Sequence, residues 1–410
     1  MLITVSLPLL GDPWLDNGLE TLYKALKEVE RQMRGAIEAV RLHPDKLEVE
    51  IKDLDELVRG LSGVIKNWTG ERLYYWVERK GERKRILKQF VTFNRQPASQ
   101  YPKIFVDSKR DELIRSAFSP NGSGKKGRCP ICGDESTLRD DLTQSVHPMA
   151  TKIKSLSGVR TTGKEGALSG FAERFRTCPR CYLRGAMVWL DDGLIYRTGR
   201  TGKPSFVILP APIGYDLLRI HEIKERYRAS LRIQDGLSNV KAVVRRAKGE
   251  SEETPPAGNS LLLAFLERLL SNIIAERKWE GFMKVRREIS EGWLMLTIPI
   301  GPMKNVTARD VILDEQVIAF IGRCVKDELL PYAGMISLIW LVDEKTGKPQ
   351  GEGTDEFREE MSKAVLENDF DSFASLLIPH PRRSPVISLS LIHISEPTRP
   401  RLISYAVFCL

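Results

Sequence analysis

Residues Met1 to Pro8 alternate apolar and polar, the period of a half-buried strand. Gly11-Asp12-Pro13 then has turn chemistry, and Leu19, Leu22, Tyr23, Leu26 and Val29 recur at helical spacing, with Asp16 or Asn17 as the expected cap. Glu48–Ile51 predicts a short strand and Leu54–Leu61 a helix. Leu73–Glu78 and Ile86–Phe93 are strand-like and flank a charged tip, Lys80 to Arg85, that reads as a hairpin turn. Helices are expected at Asp111–Phe118 and Tyr182–Trp189, with extended chain at Leu194–Arg197 and Phe206–Pro210. Leu217–Ala247 predicts one or two helices crowded with Arg and Lys. An apolar helix follows at Leu261–Arg277, then a buried strand at Trp293–Ile300 and an acidic helix at Asp355–Glu367.

This alternation predicts an α+β chain, a mixed multidomain fold with an inserted four-Cys zinc module and a largely helical C-terminal region. The expected boundaries are an N-terminal α+β domain over 1–118, the zinc module over 119–204, and a continuation of the first domain over 205–247. A polar linker over 248–259 and a mostly helical region over 260–388 complete the division. Residues 389–410 are read differently. Leu389 to Arg399 (LSLIHISEPTR) and Ile403 to Leu410 (ISYAVFCL) are, in the right order, translations of two parts of a common sequencing-library adapter. On that reading the segment is not native, Cys409 and His393 carry no functional information, and the natural C-terminus is missing.

With 42% hydrophobic and 29% charged residues the composition is that of a globular protein, and no apolar run reaches the ~18 residues a membrane span needs. A cytoplasmic location without membrane contact is expected. The net charge of +9 mildly favours a polyanionic partner.

Cysteine placement changes the picture more. Cys129-Pro130-Ile131-Cys132-Gly133 and Cys178-Pro179-Arg180-Cys181-Tyr182 are two Cys-x-x-Cys knuckles with 45 residues between them. A knuckle turns two thiolates toward one point, and four sulfurs at about 2.3 Å form the closed tetrahedral shell of structural Zn²⁺. Gly133 suits the left-handed backbone such a turn often needs. Cys129, Cys132, Cys178 and Cys181 are therefore expected to converge within about 4 Å of each other around one ion. Two disulfides, or four unrelated cysteines, are the alternatives. With four Cys ligands no coordination position is left open for catalysis.

Other chemistry finds no support. Gly124-Lys125 is not a phosphate-binding loop, because Ser119 and Lys126 stand where that motif needs Gly and Ser/Thr. A zinc deaminase would need His-x-Glu, but His147 is followed by Pro148 and Met149. His-Glu-x-x-His is absent, and His43, His221 and His380 stand isolated in the sequence. The chain is expected not to be an enzyme. What remains is a basic stretch around the second knuckle: Lys125, Lys126, Arg174, Arg176, Arg180, Arg184, Arg197, Arg200 and Lys203. Phe171, Phe175, Tyr182, Trp189 and Tyr196 interleave with them. Such residues suit phosphates and stacked bases; the competing reading is a solvated face over an aromatic core.

Gly11-Asp12-Pro13-Trp14-Leu15-Asp16-Asn17-Gly18-Leu19, directly after an N-terminal strand, resembles the opening of the CXXC–CXXC family of CRISPR-associated proteins. The paired knuckles, the Gly-containing stretch before the second and the helix after it are also similar to that family. The likeness covers roughly residues 1–200 by motif. It implies a non-catalytic large subunit of a type I Cascade surveillance complex, in contact with other Cascade subunits. Its implied partners are the 5′ handle of a guide RNA, the adjacent motif of target double-stranded DNA, and a helicase-nuclease that it recruits. Two other classes stay open: a stand-alone zinc-containing nuclease or nucleic-acid enzyme, and a zinc-stabilised scaffold without nucleic acid.

Overall fold

The computed structural model describes residues 2–79, 82–87, 101–119, 126–137, 140–141, 143, 145–148, 176–197, 204–212, 214, 216–231, 240–246, 249–253, 255–290, 292–298, 306–327, 332–342, 348, 350–378 and 384–387. Helices and sheets are both present, as an α+β chain requires. The chain forms two compact units, one of Met1–Ser238 with Trp293–Asp310, the other of Asn239–Gly292 with Val311–Leu410.

The first unit opens with strand β1 (Ile3–Pro8) and helix α1 (Pro13–Gln32), followed by β2 (Ile37–Leu42), β3 (Lys46–Ile51) and helix α2 (Leu54–Trp68). β3 lies between β1 and β2, antiparallel to both, with Val49 opposite Val5 and Val40. That register puts one apolar face of the sheet under α1, whose Leu15, Leu19, Leu22, Leu26 and Val29 are fully buried. β2 goes beyond the sequence expectation, its alternation being broken by a register shift between Ile37 and Ala39.

The cap of α1 also differs from expectation. Asp12 is the N-cap, accepting the Leu15 amide at 3.0 Å, with Pro13 at the first helical position, where its missing N–H costs nothing. Asp16 and Asn17 lie buried inside the helix instead. Asp16 Oδ1 accepts the Leu10 amide at 3.0 Å, and Asn17 Nδ2 donates to Pro210 O at 2.9 Å. Helix α3 (Asp107–Phe118) packs on α2, and helix α4 (Pro179–Met187) packs on both α1 and α3. A four-stranded sheet, in the order Ile195–Arg197, Ser205–Pro210, Trp293–Ile298, Thr307–Val311, and helix α5 (Leu217–Leu231) complete the unit.

The segment Leu217–Ala247 is helical only to Leu231; Ala242–Arg246 is a strand paired with Gly249–Glu253. The stretch expected as a linker over 248–259 is thus a hairpin strand followed by a helix beginning at Gly258. Its polar composition suggests loop, but residues 249–253 pair in register with 242–246. The region 260–388 is not continuous either. Trp293–Ile298 returns to the first unit because its apolar residues match Ser205–Pro210 in register, Leu296 against Val207.

The second unit consists of that hairpin, the long helix Gly258–Ile289, helices Glu315–Lys326, Tyr332–Ser337, Gly351–Leu366 and Phe370–Leu376, and the strand pair Ile339–Val342 with Ser384–Ile387. Glu359 fastens the start of the long helix, accepting from the Asn259 and Ser260 amides at 2.7 and 3.1 Å. Residues 389–410, read as translated adapter, lie outside the described residues.

Candidate metal centre

Strands Lys126–Arg128 and Glu135–Thr137 pair around the first knuckle. At its tip the Cys129 amide donates to Asp134 O and the Gly133 amide to Cys129 O, both at 2.9 Å. Gly133 has φ +76°, the left-handed conformation anticipated for it. The second knuckle sits on a helix end. Cys178 is the N-cap of α4, Pro179 opens the helix, and the Cys178 sulfur accepts the Cys181 amide at 3.4 Å.

The two knuckles meet. The Sγ atoms of Cys129, Cys132, Cys178 and Cys181 all lie within 4.8 Å of one another, and Cys132 Sγ is 3.8 Å from Cys178 Sγ. A tetrahedron with bonds of about 2.3 Å has edges of about 3.8 Å. None of the four is in a disulfide, and Cys129, Cys178 and Cys181 are buried. The Cys178 amide and Thr177 Oγ1 each approach Cys129 Sγ at 3.5 Å, the kind of donor that supports a thiolate. Hydrogen bonding from Cys132, Cys178 and Cys181 drives the Cys129 thiol far down, while the same crowding, led by Cys129, drives Cys178 and Cys181 up. Four thiolates at this distance repel unless a cation lies among them. The donor set, spacing and burial fit a closed-shell metal ion.

α4 carries this centre into the rest of the first unit. Arg180 Nε donates to Ala117 O at 3.1 Å, the Lys103 amide to Tyr182 Oη at 3.1 Å, and Arg184 Nη1 to Pro8 O at 2.8 Å. From α1, the Trp14 indole N–H donates to Val146 O at 2.8 Å and to Gly185 O at 3.0 Å. Trp189 stands edge-on to Trp14 and donates to Ser145 O at 2.6 Å. His147 Nε2 meets Asp12 Oδ2 at 2.8 Å, so this buried histidine belongs to the packing. Burial pushes the Asp12 carboxyl up, but the hydrogen bond and charge of His147, with the Leu15 and Trp14 amides, bring it below its ordinary value.

The basic residues fare differently. Arg176 is exposed on the short strand Arg176–Thr177, whereas Arg180 is turned onto a backbone carbonyl. Arg197 and Lys126 occupy short strands. Lys125, Arg174, Arg200 and Lys203 lie outside the described residues, as do Phe171 and Phe175. Tyr182, Trp189 and Tyr196 are core residues, so they offer no face for base stacking.

A second cluster was not legible in the sequence. Glu20 Oε1 meets His221 Nδ1 at 2.9 Å, and Glu20 Oε2 meets Lys224 Nζ at 3.0 Å. Lys224 also pairs with Asp191, and Glu225 with Lys24 at 2.6 Å. Glu20, Lys224 and Asp191 have no exposed side-chain surface. Glu20, His221 and Glu225 offer ligand atoms within 4.8 Å. Glu20 is already engaged with His221 and Lys224, so the group reads as a polar network joining α1 and α5, with the Glu20–Lys224–Asp191 ion pairs buried at its centre. The i,i+4 spacing of His221 and Glu225 was the only sequence signal. No protein-family model and no curated protein matches the chain. Among the described residues no helix is long and apolar enough to cross a membrane.

Proposed function

We propose that Cys129, Cys132, Cys178 and Cys181 hold one structural Zn²⁺, and that the chain is the non-catalytic large subunit of a type I CRISPR interference complex. In that role it binds guide RNA and target double-stranded DNA, reads the adjacent motif, stabilises the displaced-strand state and recruits the helicase-nuclease. Zinc is preferred because an all-thiolate tetrahedral set with backbone N–H support is its usual structural site.

One observation carries the wider reading. The two sequence features that resemble the family pack directly on each other: Trp14 from the Gly11–Leu19 motif bonds to Gly185 one turn beyond the second knuckle. The inward use of Arg180 and Arg184 favours the second reading, a zinc-stabilised scaffold without nucleic acid.

The deciding experiment purifies the assembled complex with and without this chain and titrates target duplex over a salt series. Loss of tight, motif-dependent binding without the chain is the expected result; equal affinity sinks the reading. An Arg197→Ala/Arg200→Ala complex should bind more weakly, with a salt slope flattened by about 0.7–0.9 per lost phosphate contact. Metal-dependent cleavage by the isolated chain would establish the nuclease alternative.

A further inference from the structure

Arg184 is a cation in a place where arginine is rarely found. Its residue is 2% exposed, among the largest fully buried side chains of the chain. Nη1 reaches the Pro8 carbonyl at 2.8 Å, but Nε is buried with no hydrogen-bond partner. One backbone acceptor does not balance a guanidinium, which stays charged even when buried. Its surroundings supply the missing charge. Arg184 stands three residues after Cys181 on α4, one helical turn from a metal ligand, so both lie on the same face. Burial acts to weaken the charged form, and the groups opposing it are Cys181 first, then Asp16, Cys178 and Cys132. Three of the four are the proposed zinc ligands.

A Zn²⁺ ion with four thiolates carries a net charge of −2. Three of its four cysteines are buried, so water screens that charge only from the Cys132 side. A fixed cation one turn away can, at little entropic cost, because packing already holds it. Of the basic residues nearer to the cysteines in sequence, Arg128 and Arg176 are exposed and Arg180 is half-buried, so solvent screens their charge more than that of Arg184.

We infer that Arg184 is a positioning residue for the metal centre, whose buried positive charge compensates the negative tetrathiolate and raises its affinity for zinc. This rests on the zinc reading above and adds a residue that the Cys-x-x-Cys pattern does not contain.

The test compares the full-length parent, Arg184→Gln and Arg184→Lys by competition with a chromophoric zinc chelator. Cobalt(II) absorption reports the ligand set. Arg184→Gln keeps an N–H donor for Pro8 O and removes the charge; Arg184→Lys keeps the charge and loses the fork. The charge reading expects Arg184→Gln to lose about 10–100-fold in zinc affinity, the usual effect of outer-shell changes. It expects Arg184→Lys to stay within about threefold of the parent, and the cobalt tetrathiolate spectrum to be unchanged at saturation. A merely structural role predicts equal loss in both variants, or none in either, and either result overturns the inference. Should Arg184→Gln not fold, Arg184→Lys decides alone: an affinity loss above tenfold overturns the proposal, and parental affinity supports it. A parent that takes up no zinc, or keeps it in Cys178→Ser, overturns the zinc reading itself and is recognisable without any Arg184 variant.

Discussion

The carbonyl oxygen of Arg184 occupies the space where a side chain on Gly18 would begin: a Cβ built on Gly18 lies 1.9 Å from it. Helices α1 and α4 therefore cross at backbone contact. The cysteine-bearing helix sits against the N-terminal motif through a missing methyl group, and Trp14 locks the crossing from the side.

Gly18→Ala should accordingly be severe, at or above the top of the usual ~1–3 kcal/mol range for overpacking, because a backbone oxygen cannot rotate away. Gly63 is the control. It is exposed on α2, and a Cβ there meets nothing within 4 Å. Gly63→Ala should gain up to about 1 kcal/mol from helix propensity. Urea unfolding of the two variants checks the contrast; similar effects would mean the crossing is looser than described.

Metal removal should unsettle the whole first unit. α4 bonds to residues 8, 14, 103 and 117 as well as holding two of the four cysteines. Structural zinc contributes roughly 10–16 kcal/mol in small peptides, and losing even a third of that should lower Tm by about 7–20 °C. Scanning calorimetry with and without a strong chelator, alongside Cys178→Ser, tests this. A chelator-insensitive transition argues against the metal.

Glu267 gives a pH signature in the second unit. It is buried on the long helix, where Oε1 accepts the Ala333 amide at 2.9 Å. Burial pushes its carboxyl up to about 8 despite the Ala333 and Tyr332 amides. The folded state thus keeps a proton that the unfolded chain, with an ordinary value of 4.5, releases. Stability falls as pH rises from about 4.5 to about 8, by at most about 1.4 kcal/mol per unit, then levels off. Glu267→Gln lacks this penalty, so its advantage over the parent should grow across that window. A constant difference at pH 5, 6.5 and 8 contradicts the assignment.

If residues 389–410 are translated adapter, as their sequence reads, deleting them should leave Tm unchanged within error, since such a segment was never selected to pack. A clear loss would make the segment part of the fold.

The convergence of Cys129, Cys132, Cys178 and Cys181 was legible because two Cys-x-x-Cys turns leave few other arrangements for them. Helix α1 was legible from Leu19 to Val29, yet its cap was placed four or five residues late. Pro13 after Asp12 carried that signal in the sequence and was read as a turn. The buried pairing of Glu20 with Lys224 was beyond reach, since 204 residues separate the partners and only the packing of α1 on α5 joins them. Clustered arginines misled for a related reason. Adjacency in sequence fixes where Arg180 and Arg184 are attached, not which way they point, and both point inward.

The short strands Asp140–Asp141 and Arg176–Thr177 pair antiparallel beside the four sulfurs. The chain thus departs and re-enters through one narrow neck, clamped twice, once by the ladder and once by the proposed ion. Not all that passes through this neck is loop: Ser145 and Val146 give their carbonyls to Trp189 and Trp14, and His147 meets Asp12. An insertion placed at 145–147 would therefore loosen α1 and α4 together, although these residues belong to neither helix.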